Sequence, residues 1–227
     1  MNTAEKQTSL EALKREMVSA NLPLLPSNLV FGEGNIDATV CFIGEAPGAR
    51  EDALIRPFVG RSGQLLDKLI GEIGWQRTDV YITNIVKRRP PDNRDPFPEE
   101  IEAYKPFLAQ QIEILDPPII ATLGRFSMNY FLPTGKITRD QGKLFRVGNR
   151  FIYPLFHPAA GLRDPSTLRA LRASFLRLPD AIAKAKYLKE QNSGRDVIMS
   201  TVTTTTEQEK PLARRKNDLP PPQPELF

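Results

Sequence analysis

Two hydrophobic periods alternate along this 227-residue chain, and their order outlines a fold. Leu10, Leu13 and Met17 recur at helical spacing near the N-terminus. ATVCFIG (38–44) is an unbroken apolar run between turn residues, the pattern of a buried strand. SGQLLDKLIGEIG (62–74) follows as a helix, with Ser62 as its expected N-cap and Leu65, Leu66, Leu69, Ile70 and Ile73 on one face. VYITNIVK (80–87) is β-branched and strand-like. A polar, proline-rich loop from Arg88 to Pro98 leads into the helix PEEIEAYKPFLAQQIEIL. PPIIATLG (117–124) supplies a third strand, with RFSMNYFL a short helix after it. LFRVGNRFIYPLFHP (144–158) carries one or two strands around a Gly148–Asn149 turn, and a basic helix from about Ser166 to Lys186 closes the pattern.

Strands alternating with helices across short crossovers predict a parallel sheet with helices on both faces. Ligands of such sheets sit at the carboxyl ends of the strands. That directs the search for chemistry to loops 44–61, 84–98, 124–126 and 156–165.

Beyond residue 187 the pattern stops. From Leu188 to Phe227 only ten of forty residues are hydrophobic, and six basic residues face six acidic ones. The run TTTTEQEKP and the prolines at 220, 221, 222 and 224 do not support a packed element. The chain therefore divides into a domain at 1–187 and a tail at 188–227 expected to be disordered. The formal charge of +4 then falls on the domain, which permits a nucleic-acid partner without requiring one. No apolar run approaches the roughly 20 residues of a membrane span, and the N-terminus lacks a secretory pattern. A cytoplasmic monomer is expected. One cysteine and one histidine exclude an internal disulfide and leave little for a metal site.

Three loops carry candidate chemistry. GEAPGAREDALIRPFVGRSG (44–63) opens with Gly44 and Gly48, which let the backbone approach a ligand, and Pro47, which stiffens the turn. Glu45 stands directly after the strand, with Glu51 beyond it. The segment lacks the Gly-Lys-Ser/Thr ending of a P-loop and, alone, reads equally well as an ordinary strand-to-helix connection. TNIVKRRPPDNRDP (83–96) sets Asn84 inside an apolar strand and Asn93 in the loop. A buried amide must find partners, so Asn84 either reads a ligand or ties down a neighbouring loop. Lys87, Arg88, Arg89 and Arg94 are either a solvated face or phosphate contacts. FHPAAGLRDPS (156–166) holds His157, after a strand and before a proline. A lone histidine is more often structural, but this one stands at the sheet edge where ligands bind.

In this order, GEAPG…RPFVG, TNIVKRRPPDNR and FHPA resemble the motifs of the uracil-DNA glycosylase superfamily, specifically its family 4. The resemblance runs from about Phe31 to Asp180. It implies a three-layer α/β/α sandwich around a central, mostly parallel four-stranded sheet. It also implies a base-excision enzyme that flips deoxyuridine out of DNA and hydrolyses its N-glycosidic bond to release uracil. By the resemblance, Phe58 matches the aromatic on which the flipped base stacks, and Asn84 the amide that reads its polar edge. His157 matches the donor to uracil O2, where charge grows as the bond breaks. Gly44, Glu45 and Ala46 belong to the motif that holds pocket and water, and Glu51 and Asn93 to a second carboxylate–amide pair. Which carboxylate orients water stays open. Leu162 and Arg163 fit a minor-groove wedge, or equally a capped turn with a buried leucine. Arg61, Lys87 and Arg89 are the expected phosphate contacts.

Family 4 members usually hold a four-iron–four-sulfur cluster on four cysteines. Those positions fall here on Met17, Ala20, Arg88 and Tyr104, none of which ligates iron. The resemblance to the rest of the motif set thus implies an enzyme with no metal and no cofactor, with Met17 and Tyr104 packed where the cluster would sit. Two other readings stay beside it: a paralogue that binds uracil-containing DNA without cutting, and a glycosylase for another deaminated base such as hypoxanthine. Retention of the six polar and aromatic site residues favours the uracil enzyme. Finally, the chain ends Gln223-Pro224-Glu225-Leu226-Phe227, which resembles the peptide by which bacterial repair proteins dock on the sliding clamp. Leu226 and Phe227 would anchor in an apolar pocket and the linker would raise local concentration on DNA; the plainer reading is a solubilising tail.

Overall fold

The computed structural model describes residues 1–200 and 225–226, with side chains as far as Gln191. Helix α1 (Thr3–Ser19) opens the chain, capped by Asn2 in a reciprocal box with Glu5. A short strand β1 (Glu33–Gly34) and the buried strand β2 (Val40–Gly44) follow. Helices α2 (Ala49–Leu54) and α3 (Arg61–Glu72) lead to β3 (Tyr81–Asn84), and α4 (Pro98–Leu115) leads to β4 (Ile119–Leu123). After α5 (Arg125–Phe131) and α6 (Ile137–Asp140) comes a hairpin of β5 (Phe145–Val147) and β6 (Arg150–Leu155). Helices α7 (Pro158–Arg163), α8 (Pro165–Leu176) and α9 (Leu178–Ser200) follow, and β7 (Glu225–Leu226) is the last described element.

The strands form one sheet in the order β1-β3-β2-β4-β6-β5-β7. Its centre, β3-β2-β4-β6, is parallel, as the alternation of strand and helix predicts. The sheet is wider and more mixed than the four strands expected, because β1 adds antiparallel to β3, and β5 and β7 add antiparallel beyond β6. These short additions cover what would otherwise be open edges of the parallel core.

Two apolar layers sandwich the sheet, and the pleat of β2 feeds both. Cys41 and Ile43 face a cluster with Leu10, Leu13 and Met17 of α1 and Tyr104, Leu108 and Ile112 of α4. Val40 and Phe42 face the other cluster, with Leu66, Leu69 and Ile70 of α3 and Leu171 and Phe175 of α8. Phe42 and Phe175 stack with ring centroids 5.6 Å apart. No helix among the described residues is long and apolar enough to cross a membrane.

Two expectations along the chain are corrected. Ser62 is not the N-cap of α3, which starts at Arg61 with Gly60 in the cap position and no side-chain cap. The basic helix is two helices, α8 and α9, separated at Arg177. Pro179 then sits in the first turn of α9, where its missing N–H costs nothing. The backbone of α9 runs to Ser200. Gln223 and Phe227 of the terminal motif lie outside the described residues, whereas Leu226 pairs with Phe145 in β7.

The start of α3 lies against the backbone of the preceding loop. A Cβ on Gly63 would come within 1.9 Å of the Phe58 carbonyl oxygen, while one on Gly71, in the same helix, meets nothing within 4 Å. Gly63→Ala is expected to lower the urea midpoint by the equivalent of about 3 kcal/mol at unchanged m-value, and Gly71→Ala to raise it by about 0.5–1 kcal/mol. Equal effects of the two would mean that the loop does not bear on α3.

Candidate active site

The carboxyl ends of β2, β3 and β6 open into one cleft of about 470 Å³. Glu45, Ala46, Glu51, Phe58, Asn84, Asn93, His157 and Arg163 line it, drawn from three distant stretches of sequence. Gly44 closes its floor. A Cβ there would lie 2.4 Å from Asn84 Oδ1 and 2.5 Å from Phe58 Cζ, so only glycine lets the strand, the ring and the amide meet.

Asn84 ends β3 with 1 % of its surface exposed, and its Oδ1 has no hydrogen-bond partner. Such an acceptor is expensive to leave unpaired, which marks it as waiting for a ligand donor. Phe58 is 5 % exposed and adopts φ +50°, a left-handed conformation that bulky residues rarely take. Arg77 holds that turn: its guanidinium donates to the carbonyls of Pro57 and Phe58 and pairs with Glu33 at 2.7 Å and Asp67 at 2.6 Å.

His157 is the N-cap of α7, and its Nδ1 accepts from the Ala159 backbone N–H at 3.1 Å. The proton of the neutral ring is thereby placed on Nε2. Burial first, then the nearby Arg163 cation, pulls the imidazole pKa down to about 4, against a smaller opposing effect of Glu51. The ring lies 5.7 Å from that of Phe58. Gly124, at φ +94°, leaves it room: a Cβ there would stand 3.1 Å from His157 Cβ.

The two carboxylates have different surroundings. Glu51 is buried, and its Oε1 accepts from the Val59 and Gly60 amides at 2.9 and 2.7 Å, which fixes the segment leading into α3. Asn93 lies beside it, held by Arg89, whose Nε donates to Asn93 Oδ1 at 2.7 Å. No hydrogen bond reaches the Glu45 carboxylate among the described residues, whereas its backbone carbonyl accepts from the Val86 amide at 3.0 Å. Burial, and then the charge of Asp95, push its carboxyl up to about 7, with Arg125 opposing.

Arg61 is exposed at the start of α3, and Leu162 and Arg163 are exposed on α7. Lys87 requires a correction. It is completely buried, its ammonium is bonded to interior oxygens, and burial pulls its pKa down to about 7, so it cannot reach a phosphate. Sequence reasoning missed Arg77, Asp95 and Arg125. The last two form a 2.6 Å pair beside Glu45. The loop 124–126 was flagged by its position after a strand, but nothing in it named Arg125.

Met17 and Tyr104 share one apolar cluster with Ala20 packed against it; Tyr104 Oη donates to the Pro23 carbonyl at 2.8 Å, and the Arg88 guanidinium donates to the Ser27 carbonyl. A sulfur-bridged iron cluster needs thiolates, and these four side chains offer none, so they do not fit one. Among the described residues no group of His, Cys, Asp and Glu is arranged to hold a metal ion.

The family model described as the uracil DNA glycosylase superfamily matches residues 31–178. A type-4 uracil-DNA glycosylase of Sulfurisphaera tokodaii is 42 % identical over 193 residues, covering 79 % of this chain and 88 % of the relative. One from Thermotoga maritima is 44 % identical over 155 residues, 67 % of this chain and 81 % of the relative. One from Archaeoglobus fulgidus is 38 % identical over 188 residues, 78 % and 94 %.

His157 is the only histidine, so its nitrogen-15 signals are unambiguous. They are expected to show protonated Nε2 and unprotonated Nδ1 from pH 5 to 9 without titration. A midpoint near the ordinary 6.5 would contradict the buried, neutral ring.

Proposed function

Because this chain belongs to the uracil DNA glycosylase superfamily, we propose that its cleft excises uracil from DNA by hydrolysis of the N-glycosidic bond. The observation that carries this reading is the unpartnered Asn84 Oδ1, buried against Phe58 at the floor of the cleft. A uracil stacked on Phe58 offers N3–H to that oxygen and O4 to the amide nitrogen. Cytosine presents the opposite pattern and would leave both groups facing like partners.

As the bond breaks, negative charge gathers on the departing base. A neutral imidazole with its proton on Nε2 donates to O2 without adding a charge that would need neutralising elsewhere. In a water-poor cleft such a donor lowers the barrier by roughly 3 kcal/mol. Glu51 Oε1 is taken by backbone amides, with Asn93 on that side of the cleft, so the carboxylate that holds the attacking water and faces the cation-like sugar is Glu45. Leu162 fills the space left in the duplex, and Arg61, Arg89 and Arg163 meet phosphates. Base flipping, water activation and leaving-group stabilisation on this account need neither metal nor cofactor. The terminal Gln223–Phe227 segment acts as a tether to a bacterial-type sliding clamp; the extended pairing of Glu225 and Leu226 fits a peptide that binds as a strand.

Purified protein is expected to release free uracil from a uracil-containing oligonucleotide. His157→Ala should slow release by about 10²–10³-fold and leave affinity for undamaged DNA unchanged. The Glu45 carboxyl is protonated below about 7 and ionised above it, so the rate should climb with pH and level off above that point. Glu45→Gln should remove the climb. A folded wild type that binds DNA but releases no uracil would overturn the reading, and release of hypoxanthine instead would redirect it.

A further inference from the structure

Lys87 lost its expected phosphate, and its surroundings give it another task. It stands three residues after Asn84, and its side chain turns back beneath β3. The Nζ donates to Asn84 O at 2.8 Å, to Thr83 Oγ1 at 2.5 Å and to Gln111 Oε1 at 2.5 Å. In its protonated form the group has three donors, and all three are used. The acceptors are themselves fixed. Thr83 donates its hydroxyl to Phe31 O at 2.8 Å, and Gln111 Nε2 donates to Phe31 O and to Tyr81 Oη, each at 3.1 Å. The Phe31 ring centre lies 6.0 Å from the ammonium.

Every oxygen bonded to this cation is neutral. Burying a cation without a carboxylate is costly, and a packed apolar side chain would fill the same volume more cheaply. Stability alone is therefore a poor account of the arrangement. One of its three partners belongs to a residue that faces the cleft. The Asn84 side-chain oxygen is unbonded, so the direction of the amide is set through its backbone, and Lys87 grips that backbone at the carbonyl.

We infer that Lys87 is a positioning residue for base reading, fixing the Asn84 backbone so that its amide meets the flipped base in register. The inference rests on the cleft being the uracil site and adds the group that aligns it.

A double-mutant cycle separates alignment from general loosening. Single-turnover release of uracil is compared for wild type, Lys87→Met, Asn84→Ala and the pair, with a 5-fluorouracil oligonucleotide, a better leaving group, where release is slow. Lys87→Met is expected to slow release about 10–100-fold, since a displaced contact group costs on that order. In the Asn84→Ala background the same change should cost less than about twofold. Losses that multiply would overturn the inference. If Lys87→Met does not fold, Gln111→Met removes one acceptor from the far side on α4 and should show the same non-additivity with Asn84→Ala; no effect there would also overturn it. Wild type that fails to release uracil would instead refute the reading of the cleft, whereas an active wild type with an additive cycle refutes only the role of Lys87.

Discussion

The absence of a side chain at Gly44 is the constraint on which the cleft depends. At that point the last residue of β2, the ring of Phe58 and the amide of Asn84 converge to distances that a single methyl group would violate. The other parts of the site follow from holding this junction closed. Phe58 must accept a left-handed backbone to bring its ring in, and Arg77 and the carboxylate of Glu51 secure the segment on either side of it. Asn84 must be brought to the same point by β3, which is paired residue for residue with β2 as far as Gly44. A parallel sheet supplies that registry without effort, because the ends of adjacent strands arrive together at one edge.

A cleft built this way excludes water from polar groups that would otherwise prefer it. That exclusion explains the electrostatics: a histidine held neutral, a carboxyl raised toward neutrality, an amide oxygen without a partner. Each is unfavourable in the empty protein, and each becomes useful once a planar, hydrogen-bonding base occupies the space. On the opposite face of the sheet, Met17 of α1 and Tyr104 of α4 share one apolar cluster, and Tyr104 Oη donates to the Pro23 carbonyl, so ordinary packing joins these two helices.

Much of this was legible in the chain because it rests on local pattern. The apolar run at 38–44, the β-branched run at 80–87 and the lone histidine before a proline each mark a strand end, and strand ends converge. What the pattern concealed were choices made in three dimensions. Ser62 looked like a helix cap, but α3 begins one residue earlier, with Gly60 in the cap position and its amide held by the carboxylate of Glu51. Lys87 looked like a surface cation in a basic run, but β3 carries it inward to oxygens from Thr83 and Gln111, the latter 24 residues away. Asp95 and Arg125 are thirty residues apart, and nothing in either segment announced the pair. The Gly148–Asn149 turn announced the β5–β6 hairpin, but the edge strand β1 went unread because two residues are too few to show a period.

The shape of the cleft therefore turns on Gly44. Gly44→Ala, verified as folded by circular dichroism and by unchanged binding to undamaged DNA, is the direct test, with release of uracil from an oligonucleotide as the readout. The closed junction predicts a loss of at least about 100-fold, because the added methyl must displace either the ring or the amide. Release at the wild-type rate by the folded variant would contradict it, and with it the claim that this glycine makes the pocket.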